Sequence, residues 1–147
     1  MSDFVVTRKN VGGIPTTPKL VEYDLTSANI VLNNVPCESS VFVGAAVYMQ
    51  ASGIAKNAIA TSIGQSNVIG IIQEKPELNL CNIRVIGVTP PVFTGLDVSK
   101  EYFLSDSVAG GVVTIAPSLS GHIVLRIGQP YSATEMLFIK GQRAVRI

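Results

Sequence analysis

Short runs of aliphatic, β-branched and aromatic residues recur along the chain, separated by glycine, proline and serine. Val, Ile, Tyr and Phe favour extended strands, whereas Gly, Pro, Asn and Ser favour turns. Because the runs recur at intervals of roughly 8–15 residues, they predict an all-β domain, a small barrel or sandwich of short strands. The runs interpreted as strands are 41–43, 45–49, 68–72, 82–88, 101–105, 112–115, 122–128 and 136–139.

Two local features stand out against this pattern. Gly110-Gly111 lies between the runs 101–105 and 112–115 and predicts a tight turn that joins them as a hairpin. The segment 55–60, Ala-Lys-Asn-Ala-Ile-Ala, is the one place where the sequence favours a short helix or turn. Such a segment is too brief to change the fold class.

An Ile-Gly pair occurs four times, at 63–64, 69–70, 86–87 and 127–128. The irregular separations exclude a repeat family with a fixed period. A glycine inside a strand marks a bulge, a bend or the close approach of another backbone. The pairs therefore predict bends that let a small sheet curl.

Residues 1–40 predict an extended arm rather than part of the compact domain. Gly12-Gly13 and the prolines Pro15, Pro18 and Pro36 interrupt any helix, since proline removes a backbone donor and restricts the residue before it. Within the arm, 20–25 and 30–32 are β-prone, and Asn33-Asn34 predicts a turn. We therefore divide the chain into an arm, 1–40, and a compact β domain, 41–147.

Two interpretations of the arm are open: it stays flexible, or it docks on a neighbouring subunit, which its apolar residues favour. Basic residues lie near both ends of the chain: Arg8, Lys9 and Lys19, then Lys140, Arg143 and Arg146. They are interpreted either as solvated ends or as contacts to an acidic partner surface. The candidate partner-contact residues are Phe4, Val5, Val6, Arg8, Lys9 and Ile14.

Composition limits the class of protein. Asp, Glu, Lys and Arg make up 14% of the chain, against about 25% in ordinary soluble domains. A surface that poor in charge favours burial against copies of the chain or other proteins. The net charge of +1 provides no broad attraction to nucleic acid.

Membrane insertion and secretion are not expected. A spanning helix needs about 20 consecutive apolar residues, and the most apolar stretch, 41–63, is interrupted by glycines and polar residues. The N-terminal residues lack the features of a secretory signal. Cys37 and Cys81 are too few for a secreted disulfide scaffold, so we expect buried free thiols in a cytoplasmic protein, with a disulfide as the less favoured alternative.

The search for catalytic chemistry indicates no enzyme. His122 is the one histidine, and no Gly-x-Ser-x-Gly, phosphate-loop or dinucleotide-binding motif occurs. Metal sites need clustered ligands, which the two distant cysteines do not supply. We therefore predict no catalytic residue, metal or cofactor, and a half-buried or surface position for His122.

An ordered set of short motifs occupies residues 87–139. Its pieces are Tyr102-Phe103-Leu104-Ser105, Gly110-Gly111-Val112-Val113-Thr114, Ala116-Pro117, Ser120-Gly121, Val124-Leu125-Arg126-Ile127-Gly128 and Ser132-Ala133-Thr134-Glu135-Met136-Leu137-Phe138. In order and spacing they resemble a recurrent module of tailed-bacteriophage virion proteins. That module occurs in capsid decoration (cement) proteins, head fibres and tail-fibre or adaptor components. The chain departs from it at Tyr131 and Met136, where a small or apolar residue and a leucine are usual, and in the arm.

The resemblance implies a structural virion protein on the capsid surface, assembled in the host cytoplasm. As a decoration protein it is expected to form a homo-oligomer, a trimer, and to bind the major capsid protein at intersubunit junctions. The alternative is a tail or fibre adaptor or receptor-binding component of the particle. A third interpretation, from the residues alone, is a bacterial binding domain with a small-molecule pocket.

Overall fold

A computed structural model of the chain describes residues 10–11, 14–15 and 29–147, and within these ranges it contains strands and no helix. The predicted all-β class is therefore confirmed. The strands are β1 (Asn10–Val11), β2 (Ile14–Pro15), β3 (Ile30–Pro36), β4 (Ala46–Met49), β5 (Ala55–Asn57), β6 (Gly70–Glu77), β7 (Leu80–Val88), β8 (Tyr102–Leu104), β9 (Val112–Val113), β10 (Ile123–Val124), β11 (Arg126–Pro130), β12 (Met136–Phe138) and β13 (Ala144–Val145).

One antiparallel sheet dominates the fold, in the order β5-β4-β6-β7-β12-β11-β8-β9, with β3 added against β7. The pairs β1–β2 and β10–β13 are separate. Short strands twist strongly, so the sheet curls into a half-barrel. Its two ends meet through backbone hydrogen bonds: Ala46 N donates to Gly110 O at 2.9 Å, and Ala60 N donates to Ser105 O at 2.9 Å.

Strands β4 and β6 bury side chains on both faces. Successive residues of a strand point to opposite faces, so Ile71 lies in one apolar cluster and Ile72 in the other. The barrel core contains Ala46, Tyr48, Ala58, Ala60, Val68, Ile71, Tyr102, Leu104, Ile123, Leu125, Ile127 and Met136. The outer core contains Cys37, Val41, Ala45, Val47, Ala55, Ile72, Cys81 and Ile83. Burial on both faces explains why the runs 45–49 and 68–72 are apolar without alternation.

The Ile-Gly pairs mark close backbone approaches at two of their four positions. A Cβ atom added to Gly70 would collide with the carbonyl O of Arg84 on β7, and one added to Gly128 would collide with the carbonyl O of Leu137 on β12. Gly87 has a φ of 106°, whereas a Cβ at Gly64 would meet nothing within 4 Å. The predicted role of glycine is therefore confirmed for three of the pairs.

Several local predictions need correction. Residues 55–57 are β5, a strand paired with β4, so the predicted helix or turn at 55–60 is wrong. Residues 41–43 form no strand, and the predicted strand 122–128 is divided between β10 and β11. At β5, pairing with β4 rather than local propensity decides the conformation.

The structured sheet begins before the predicted domain boundary at residue 40. β3 pairs with β7 along its length, with Ile30 opposite Ile86 and Pro36 opposite Leu80. The turn predicted at Asn33-Asn34 is an irregularity inside β3, where Asn34 has a φ of 54° and its N–H donates to Asn82 Oδ1 at 2.9 Å. Residues 30–36 of the predicted arm are thus a sheet strand.

Candidate interaction surfaces

Most of the partner contacts predicted from the sequence lie outside the described residues: Phe4, Val5, Val6, Arg8 and Lys9. Ile14 belongs to β2, where its backbone pairs with Val11 of β1. All six therefore stay predictions. The described residues add other surfaces, which local sequence patterns did not single out.

The basic residues of the C-terminal tail are bound to the chain's own carbonyl groups. Lys140 Nζ donates to Val68 O at 2.9 Å, Arg143 Nη1 donates to Ile63 O, and Arg146 Nε donates to Pro117 O at 2.8 Å. Charged donors make stronger hydrogen bonds than neutral ones. These cations therefore anchor the tail, a role that neither interpretation of the sequence anticipated.

Two further basic side chains, those of Lys75 and Arg84, are also hydrogen-bonded to groups of the same chain. Lys75 Nζ donates to Val41 O at 2.7 Å and to Ser39 O at 3.2 Å. Arg84 Nε donates to Gln73 Oε1 at 2.9 Å, and partial burial lowers the pKa of Arg84 below its usual value. Across residues 29–147, the surface consequently presents few unengaged positive charges.

The acidic side chains are engaged mainly by neutral polar partners or single bases. Glu74 Oε1 accepts from Asn82 Nδ2 at 3.0 Å, and Glu101 lies 3.6 Å from Arg126 Nε. Asp97 accepts hydrogen bonds from the hydroxyl and the backbone N–H of Ser99, and both lower the pKa of its carboxyl group. These three carboxylates remain charged, and each has a polar or basic neighbour within the chain.

Exposed apolar side chains gather around the C-terminal tail. The C-terminal surface consists of Ile63, Leu119, Val145 and Ile147, whose side chains are all more than half exposed except Val145, at 49%. Val145 lines two shallow clefts, one beside Ile63 of about 380 Å³ and one beside Ile147 of about 490 Å³. Lys140, Arg143 and Arg146 also line these clefts, and their hydrogen bonds hold the backbone there, so this surface is fixed and combines apolar with basic side chains.

A second apolar area lies where β3 meets β7. Ile30 and Ile86 are directly opposite each other, and they are 47% and 41% exposed. Leu32, two residues along β3, is 43% exposed. Cross-strand aliphatic pairs normally bury each other's surface against a core. Ile30 and Ile86 thus form an exposed apolar pair at this edge.

His122 lies half-buried next to β10, in agreement with its predicted position. Its Nδ1 atom is 2.8 Å from Asp106 Oδ2, and both side chains are about a quarter exposed. Ser105 Oγ accepts from the N–H groups of Ser107 and Val108, which shapes the turn that carries Asp106. Within residues 29–147, His122 makes no side-chain hydrogen bond to a hydroxyl or thiol. The pair ties this turn to β10.

The two cysteines are buried free thiols, as predicted. They lie together in the outer core, although their separation in the sequence gave no sign of it. Among the residues that the structure describes, no group of three or more His, Cys, Asp or Glu residues is arranged to hold a metal ion.

Comparison of the chain with protein-family models, curated proteins and solved structures finds no match. Within the described ranges, no helix is long and apolar enough to cross a membrane.

Proposed function

We propose that the chain is a structural subunit of a large protein assembly, and that it binds a tailed-phage capsid as a decoration protein. The proposal rests on two features that occur together. Apolar side chains are exposed to solvent, and charged side chains are hydrogen-bonded to groups of the same chain. The C-terminal surface combines both features, because Arg143 and Arg146 anchor the tail while Val145 and Ile147 face outward. The resemblance of residues 87–139 to a module of tailed-phage virion proteins favours the virion as that assembly.

Fixed apolar surfaces of this kind suit a protein that stabilises a shell. Burying apolar area contributes about 25 cal/mol per Å², and immobile groups lose little entropy on binding. A protein that holds adjoining capsid subunits together needs rigid apolar contacts and no reactive group. A trimer suits this role, since it presents the same surface three times around a local threefold axis.

The proposal is tested with the purified full chain and with expanded, undecorated shells of the phage that encodes it. Light scattering is expected to give a trimer, and electron microscopy is expected to show added density at junctions between capsid subunits. A monomer that fails to bind shells would contradict the proposal. Density on the tail instead of the head would overturn capsid decoration in favour of the adaptor or receptor-binding function.

Variants locate the contact. Ile63→Thr with Val145→Thr removes apolar area from the C-terminal surface while keeping β-branched side chains. We expect this double variant to bind shells about tenfold or more weakly, because two buried apolar contacts are lost. Leu78→Thr with Val98→Thr is the matched control, since Leu78 and Val98 are exposed outside this surface. Equal losses in both variants would show that the C-terminal surface is not the contact.

A further inference from the structure

The fold brings the chain's two cysteines together from distant parts of the sequence. Cys81 lies in β7 opposite Val35, and Cys37 follows β3 directly, where its N–H donates to Asn79 O at 2.9 Å. The two residues are thus diagonal neighbours across the end of the β3–β7 ladder. Cys37 is 2% exposed and Cys81 0% exposed, and both belong to the outer core.

We propose that Cys37 and Cys81 form an oxidisable dithiol, whose disulfide locks the end of β3 to β7. The oxidant is a low-molecular-weight disulfide such as oxidised glutathione. One cysteine thiolate attacks it and forms a mixed disulfide, releasing one glutathione thiolate that takes up a proton. The second cysteine then attacks the protein sulfur of that mixed disulfide and releases the other glutathione thiol. Two protein thiols are oxidised and one glutathione disulfide is reduced.

A disulfide between Cys37 and Cys81 requires local movement of the backbone. A disulfide requires an S–S distance of about 2.05 Å and Cβ atoms roughly 3.5–4.5 Å apart. Diagonal neighbours start further apart than this, so the side chains must rotate and the backbone at Cys37 must shift. Cys37 lies just outside β3, beyond the last β3–β7 pair, Pro36 with Leu80. Cys37 is held there by hydrogen bonds from its N–H to Asn79 O and from Asn79 Nδ2 to its carbonyl O, so these bonds must open before the shift can occur.

Burial makes oxidation depend on opening of β3. Desolvation and the neighbouring Cys37 raise the pKa of Cys81 to about 12, and only the thiolate attacks a disulfide. Among the described strands β3 pairs with β7 alone, and its register is irregular at two points. Detachment of β3 exposes both sulfurs and restores an ordinary thiol pKa. We therefore expect the native protein to be oxidised slowly, at a rate set by the detachment of β3 from β7.

Once formed, the disulfide closes a long chain segment and restricts the unfolded state. For a loop of this size the expected rise in Tm is about 5–10 °C. A particle assembled in a reducing cytoplasm would gain this stability after release into an oxidising medium. That last use rests on the proposed function, whereas the thiol chemistry does not.

The experiment treats the full chain with oxidised glutathione, with and without urea below the unfolding transition. We expect loss of two hydrogen atoms by mass spectrometry, a Cys37–Cys81 cross-linked peptide on non-reducing digestion, faster reaction in urea, and a higher Tm that dithiothreitol reverses. Cys37→Ala and Cys81→Ala are the controls and should show no Tm rise.

Two results would overturn the inference. One is recovery of two free thiols after prolonged treatment in urea. The other is formation of only glutathione adducts or disulfide-linked dimers. Shell binding by the reduced protein is measured separately, so a failure of the disulfide leaves the proposed function untouched and the converse also holds.

Discussion

Individual glycines determine how closely neighbouring strands approach in this sheet. At Gly128 the backbone of β11 lies so near Leu137 of β12 that a side chain cannot be placed between them, and Gly70 has the same relation to Arg84 of β7. Both glycines lack a Cβ where carbonyl oxygens need the space. Because an added Cβ atom would collide with a backbone carbonyl oxygen, a strand would have to move; rotation of a side chain would not remove the collision.

Gly128→Ala is therefore expected to destabilise the protein by about 1–3 kcal/mol, the range typical of overpacking in a close-packed interior. Gly64→Ala is the control from the same Ile-Gly motif, because a Cβ there meets nothing within 4 Å. The control should be neutral or slightly stabilising, through reduced entropy of the unfolded chain. Urea unfolding of both variants measures the difference, and equal stabilities would refute the close approach.

At the scale of elements, the C-terminal strand depends on side chains outside its own short ladder. β13 has two residues, and its pairing with β10 supplies few hydrogen bonds. Lys140, Arg143 and Arg146 add bonds from side chains to carbonyl groups in two loops, the one between β5 and β6 and the one that contains Pro117. A strand this short is marginal by itself, so the basic side chains supply the missing attachment.

Arg146→Met tests this attachment. The change keeps a long apolar stem but removes the donor to Pro117 O, so we expect a loss of about 1 kcal/mol and faster removal of the tail by carboxypeptidase. Lys100→Met is the matched control, since it removes a cation from an exposed position elsewhere. A tail that is digested equally in both variants would contradict the anchoring role.

At the scale of the whole molecule, the two apolar clusters are coupled through shared strands. Ile71 faces the barrel core and the adjacent Ile72 faces the outer core, and both side chains are fully buried. Displacing β6 therefore disturbs both clusters at once. Small domains with such shared elements unfold as one unit.

Ile71→Ala and Ile72→Ala are each expected to lower stability by about 2–5 kcal/mol. In both variants, circular dichroism and the fluorescence of Tyr48 and Tyr102, which belong to the barrel core, should report a single coincident urea transition. If Ile72→Ala produced loss of secondary structure at lower urea than loss of tyrosine fluorescence, the two cores would be independent.

Much of the fold follows from local pattern, and the errors have a common cause. β7, β8 and β12 were predicted within a few residues, because they are β-prone runs bounded by turn residues. β5 was missed, because Ala55–Asn57 has no strand propensity and is extended only through its pairing with β4. Low charge favoured an assembly surface, but identifying the C-terminal surface required knowing that Arg143 and Arg146 are hydrogen-bonded to the chain's own carbonyl groups.

The sequence by itself determined the all-β class, the glycine positions where strands crowd and the burial of both cysteines. These properties depend on residue type and near neighbours, such as β-branching, the absence of a Cβ atom and hydrophobicity. Only the tertiary structure decided that Cys37 meets Cys81, that β3 joins the sheet, and which apolar side chains remain exposed. Those outcomes depend on pairings between residues far apart in the chain, which no local pattern encodes.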